Sequence, residues 1–162
     1  MSRRCLPLAA LLFALGLGLP AGGAPASLAA GPSVAEAAAQ IPPIPPGLAR
    51  VWLLRQYLPS EGLRTPMIFI NGAPLASSVP GTAFYRDVAP GTYTFSVETC
   101  TTDFNQAATL NLVAGSQTDL EIQSLSSFRS WYCLPNDTFY VRLIPPGSAR
   151  LYAPQLAYLG AR

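Results

Sequence analysis

The chain has 162 residues, room for one domain with a single core; half are hydrophobic and only 11% charged. All ten basic residues are arginine, and histidine is absent. These absences exclude Ser-His-Asp and Cys-His nucleophile activation, imidazole metal sites, lysine Schiff bases and the phosphate-binding P-loop.

The first predicted element is an export signal over residues 1–26. "MSRR" gives the positive start and Cys5 to Leu19 the apolar run, and Ala24-Pro25-Ala26 is the nearest small-x-small cleavage pattern. Ser27-Leu28-Ala29 and Ala35-Glu36-Ala37 are alternative cleavage patterns. The run is shorter than the roughly 20 apolar residues a spanning helix needs. Cys5 precedes the run, whereas a lipid-modified cysteine would follow it, so no lipid anchor and no stable membrane insertion are expected once the signal is removed. The expected location is periplasmic or secreted. Loss of Arg3 and Arg4 leaves eight arginines against eight acids, a neutral chain ill suited to nucleic acid. The two remaining cysteines, Cys100 and Cys133, are then in an oxidising compartment and at strand edges, and are expected to pair. Closing that loop of about 34 residues would stabilise the fold by roughly 3 to 4 kcal/mol.

Residues 27–47 are rich in alanine and proline and read as a stiff spacer. Within them Ser33 and Glu36 have capping-box spacing, which predicts a short helix to about Gln40. Pro42, Pro43, Pro45 and Pro46 then require extended chain.

From residue 48 to 162 the pattern is that of strands. Residues 49–57 predict a first strand, apolar on both faces at its centre. Residues 67–70, then Asn71-Gly72 and 73–77, predict a hairpin whose second strand holds Pro74 and is therefore an edge. Residues 82–88 and 92–99 flank Ala89-Pro90-Gly91, read as a hairpin corner in which Pro90 presets φ and Gly91 supplies a positive one. In the second run Tyr93, Phe95 and Val97 share one face, which predicts a half-buried strand. Residues 107–113, 118–125 and 138–144 complete the regular strands. The tail from Ala149 has the pattern of strand, short helix or both, with Pro154 against one long helix. The expected fold is all-β, a single antiparallel β-sandwich of seven or eight strands.

The order strand, Asn-Gly, short strand, Pro-Gly-Thr, strand, Ala-Pro-Gly-Thr-Tyr, strand, Ala-Gly resembles PEGA-type and transthyretin-like sandwiches among small exported bacterial domains of unknown function. It is carried by residues 49–57, 67–97, 110–122 and 138–146. The resemblance implies an exported β-sandwich and brings no catalytic residues with it.

Asp119 and Glu121 point the same way from one strand, as paired carboxylates of a hydrolase would. With Leu120 and Ile122 on the opposite face, they read as the wet side of that strand. Asn136-Asp137-Thr138 matches a glycosylation acceptor and also suits a turn. Phe128, Arg129, Trp131 and Tyr132, beside Cys133, are the candidate binding residues: aromatics held near a disulfide can stack on a sugar or anchor a protein, and can equally close one end of a sandwich. Trp52 is assigned to the core or a sheet face. No cofactor or metal is expected. The expected function is a non-catalytic binding or accessory module of the bacterial envelope, with an envelope protein or glycan as partner. The alternatives are a carboxylate-based hydrolase of cell-wall material and a structural subunit pairing through the sheet edge near Asn71 to Ala76.

Overall fold

A computed structural model describes residues 31–125 and 137–162. Its strands are β1 (Ala49–Arg55), β2 (Met67–Ile70), β3 (Ala73–Ser77), β4 (Thr82–Val88), β5 (Gly91–Val97), β6 (Ala108–Leu112), β7 (Gln117–Leu125), β8 (Thr138–Ile144) and β9 (Ala157–Ala161). Two short helices accompany them, α1 (Val34–Ala37) and α2 (Pro146–Tyr152). The nine described strands form a five-stranded sheet, β8-β7-β1-β4-β9, and a four-stranded sheet, β3-β2-β5-β6.

Between the sheets lies the main core. Val51 and Leu53 of β1, Phe84, Leu120, Ile122, Phe139 and Val141 meet Ile68, Phe95, Val97 and Leu112 of the other sheet. Phe95 is fully buried, Val97 nearly so, and Tyr93 packs against the same cluster, as the period-two pattern predicts. Asn71 and Gly72 have φ of 49° and 79°, the left-handed pair that a two-residue hairpin turn requires. β3 is an edge strand, and a register shift between Ile68 and Phe69 leaves an extra residue in it beside Pro74.

Three expectations about connectivity are corrected. Ala89-Pro90-Gly91 is not a hairpin corner. β4 pairs with β1 and β9, and β5 with β2 and β6, so the turn carries the chain from one sheet to the other. Turn chemistry specifies a change of direction, not the neighbour reached afterwards. Nor is the fold wholly antiparallel: β1 pairs parallel with β7, and β4 with β9. β1 is buried along its whole length, as a strand covered on both faces must be. Among the described residues there are also nine strands rather than seven or eight, because the tail forms α2, a 3₁₀ turn over Ala153–Gln155 and then β9.

The stretch expected as a spacer is packed on the domain from residue 32 onward. The capping box forms, with the Ser33 N–H donating to Glu36 Oε2 (2.7 Å) and the Glu36 N–H donating to Ser33 Oγ (3.2 Å). The Val34 N–H donates to the Leu156 carbonyl (2.8 Å) and the Tyr158 N–H to the Pro32 carbonyl (2.7 Å). Arg50, 3% exposed, donates from Nη1 to the Pro42 carbonyl (2.7 Å) and grips Asp87 through Nε and Nη2 (2.7 and 2.8 Å). Its guanidinium carbon lies 3.9 Å from the Tyr85 ring centroid. A second apolar cluster therefore forms on the outer face of the larger sheet, from Trp52, Leu54, Ala83, Tyr85, Ala149 and Leu156.

Candidate functional site

Alternation along β1 sends Val51 and Leu53 inward and Trp52 and Leu54 outward; along β7, Leu120 and Ile122 go inward and Asp119 and Glu121 outward. The parallel register sets Trp52 beside Asp119 and Leu54 beside Glu121. Two apolar residues and two acids thus alternate across the centre of one sheet face. That face is covered by α2 and the 3₁₀ turn after it.

The expectation that Asp119 and Glu121 lie on a wet strand face is therefore overturned: they are 6% and 4% exposed. The cover comes from the tail. Pro146 occupies the first turn of α2, where its missing N–H costs nothing, and Ala149 is small enough to let the helix lie close to the sheet. Where the cover is incomplete a cleft of about 230 Å³ remains, lined by Trp52, Leu54 and Asp119 of the sheet and by Ala149, Arg150 and Ala153 above. Trp52 is held by a tilted contact with Tyr85 (centroids 5.2 Å apart) and another with Tyr158 (6.0 Å).

The two acids differ in what they can offer. Glu121 has both oxygens engaged: Gln56 Nε2 donates to Oε1 and Gln123 Nε2 to Oε2, each at 2.7 Å. Asp119 accepts only a longer bond from Gln117 Nε2 to Oδ1 (3.2 Å), and it is the carboxylate that lines the cleft. Burial raises its pKa, while the Gln117 hydrogen bond and Arg150 pull it down. Next to this pair, burial pushes Glu61 up to about 7 against the downward pull of Arg55. Arg55 itself is lowered to about 10 by burial; it donates to the carbonyls of Gly62, Arg64 and Ser78, pinning the 56–66 loop. The Tyr152 hydroxyl is raised beyond its usual range, chiefly by burial and then by Glu121.

Comparison with family models, curated proteins and solved structures finds no match for this chain.

Phe128, Arg129, Trp131, Tyr132 and Cys133 lie outside the described residues, as does Asn136. Cys100 lies beside a second hollow of about 250 Å³, walled by Arg64, Glu98, Asp137 and Phe139. There Arg64 Nη1 pairs with Asp137 Oδ2 at 3.1 Å. Sequence reasoning missed the cleft because its two walls come from segments far apart in the chain. One signal was present: a strand apolar on both faces needs a cover on each. Among the described residues no cluster of His, Cys, Asp and Glu could hold a metal ion, and no helix is long and apolar enough to cross a membrane.

Proposed function

We propose that this chain is an exported, non-catalytic binding module of the bacterial envelope, built as a β-sandwich of the PEGA-type or transthyretin-like pattern. We place its binding site at the cleft between the outer face of β1 and β7 and helix α2. The observation that carries this is a buried carboxylate, Asp119, facing an apolar cleft beside Trp52 with a single side-chain amide partner. Apolar pockets with a few convergent polar groups are the usual form of a ligand site. A two-acid hydrolase needs both carboxylates free to face one bond. Glu121 is held by two amides and does not line the cleft, which favours binding over hydrolysis.

Sedimentation of the purified protein with isolated envelope material tests this. Ala153→Phe, which puts a ring into the cleft that Ala153 lines, is expected to abolish co-sedimentation while the protein still melts cooperatively, no more than about 10 °C below the unmodified chain. Retention by the filled variant would refute the assignment. Turnover of cell-wall material that disappears with Asp119→Asn would establish the hydrolase instead.

A further inference from the structure

Resting on the cleft as the binding site, we infer that its ligand is a zwitterionic side chain: a primary ammonium on a short apolar stem that reaches Asp119, with a carboxylate left at Arg150 on the rim. Each part of that chemistry answers a feature of the cleft. A neutral apolar ligand would seal Asp119 from water with only the long Gln117 hydrogen bond and no counter-charge, and a buried charge without a counter-charge is strongly destabilising. A polyhydroxylated ring would bring several donors and acceptors to walls made largely of Trp52, Leu54, Ala149 and Ala153, and would leave most of them unpaired. Gln117 gives one of its two amide hydrogens to Asp119 and is the single uncharged polar side chain among the residues lining the cleft, too few partners for such a ring. An ammonium group supplies the counter-charge that the carboxylate lacks.

Arg150 decides between a simple cation and a zwitterion. It stands on α2, exposed at the cleft, close enough to Asp119 to lower that group's pKa. A bare cation entering there meets repulsion from Arg150 along with attraction from Asp119. A ligand carrying both charges complements both. Because Asp119 is buried and Arg150 exposed, the ammonium goes in first and the carboxylate stays outside, with the methylenes along Trp52 and Leu54. At about 230 Å³ the cleft suits one side chain rather than a whole drug-sized molecule. An amine-bearing side chain of a peptide with an adjacent carboxylate fits this description.

Calorimetric titration with three small probes tests the inference: 6-aminohexanoate, hexylamine and hexanoate. We expect saturable one-to-one binding of 6-aminohexanoate, binding of hexylamine weaker by roughly two- to fivefold, and none of hexanoate. Asp119→Asn, nearly isosteric, should weaken 6-aminohexanoate by roughly thirtyfold or more. Arg150→Ala should erase the difference between the two amines. Hexanoate binding as tightly as 6-aminohexanoate, or no probe binding at all, overturns the inference without any variant being needed. If no probe binds and yet Ala153→Phe abolishes retention on envelope material, the cleft is the site and the ligand class is wrong. If 6-aminohexanoate binds and envelope retention ignores Ala153→Phe, the small-molecule chemistry stands and the cleft is not the envelope contact.

Discussion

Replacing Asp87 by alanine isolates the most buried ion pair among the described residues. The side chains of Arg50 and Asp87 are 4% and 17% exposed, and the guanidinium makes three hydrogen bonds, two of them to Asp87. Asp87→Ala removes both of those and the counter-charge together, leaving a buried cation with only the Pro42 carbonyl and the Tyr85 ring. Breaking such a pair from one side costs about 3–5 kcal/mol. For a folded body of this size each kcal/mol lowers the melting temperature by about 3–4 °C, so a fall of about 10–20 °C is expected. Urea titration followed by circular dichroism measures the loss directly. Arg50→Met combined with Asp87→Leu should recover most of it, since no charge is then left buried, and a double-mutant cycle gives the coupling. Arg50→Met alone releases Pro42 and should speed amide exchange at Val34 and Tyr158, which bridge the N-terminal stretch to the tail. Asp87→Ala within 1 kcal/mol of the unmodified chain, or unchanged exchange at those two amides, would refute the reasoning.

Phe95→Ala removes a fully buried ring between the two sheets and should cost about 3–5 kcal/mol in denaturant titration, whereas exposed Thr92→Ala should stay within about 0.5 kcal/mol. Glu61 rises from 4.5 to about 7 on folding, so the folded state holds the extra proton between those values. Its contribution to stability is complete below pH 4.5 and is lost as pH rises through 7, and solvent screening of a half-buried group reduces it to about 1 kcal/mol. The melting temperature should therefore fall from pH 5 to pH 8 by a few degrees more in the unmodified chain than in Glu61→Gln; equal falls in both would exclude Glu61 as the cause. Cys100 and Cys133 should both resist alkylation in the protein purified under non-reducing conditions, and intact mass showing two alkylated thiols would rule out their pairing.

The local part of the fold was legible in the sequence. β2, β3, β4 and β8 begin and end at the residues where alternation and turn residues put them, and the capping box at Ser33 forms as its spacing predicts. What failed was the choice of neighbours. Pro90 and Gly91 mark a bend equally well between paired strands and between strands of different sheets, and period two is the same in parallel and antiparallel pairs. The parallel contacts of β1 with β7 and of β4 with β9 depend on chain closure over long separations, which no short window records. The cleft was illegible for the same reason: Asp119 looks solvated until Pro146 to Gln155 folds over it. The residues to read together were Trp52 and Leu54, apolar on a face that the alternation of Asp119 and Glu121 declared wet. That contradiction is the trace of the missing cover.

The chain has two tryptophans, Trp52 and Trp131, one in the cleft wall and one among the aromatic residues singled out from the sequence. Fluorescence of a Trp131→Phe variant therefore reports Trp52 alone, and that of Trp52→Phe reports Trp131 alone. On titration with envelope material, the cleft assignment predicts a saturable shift in Trp52 emission and a silent Trp131. Saturable binding that leaves Trp52 unchanged and moves Trp131 would contradict it and transfer the site to Phe128, Arg129, Trp131 and Tyr132.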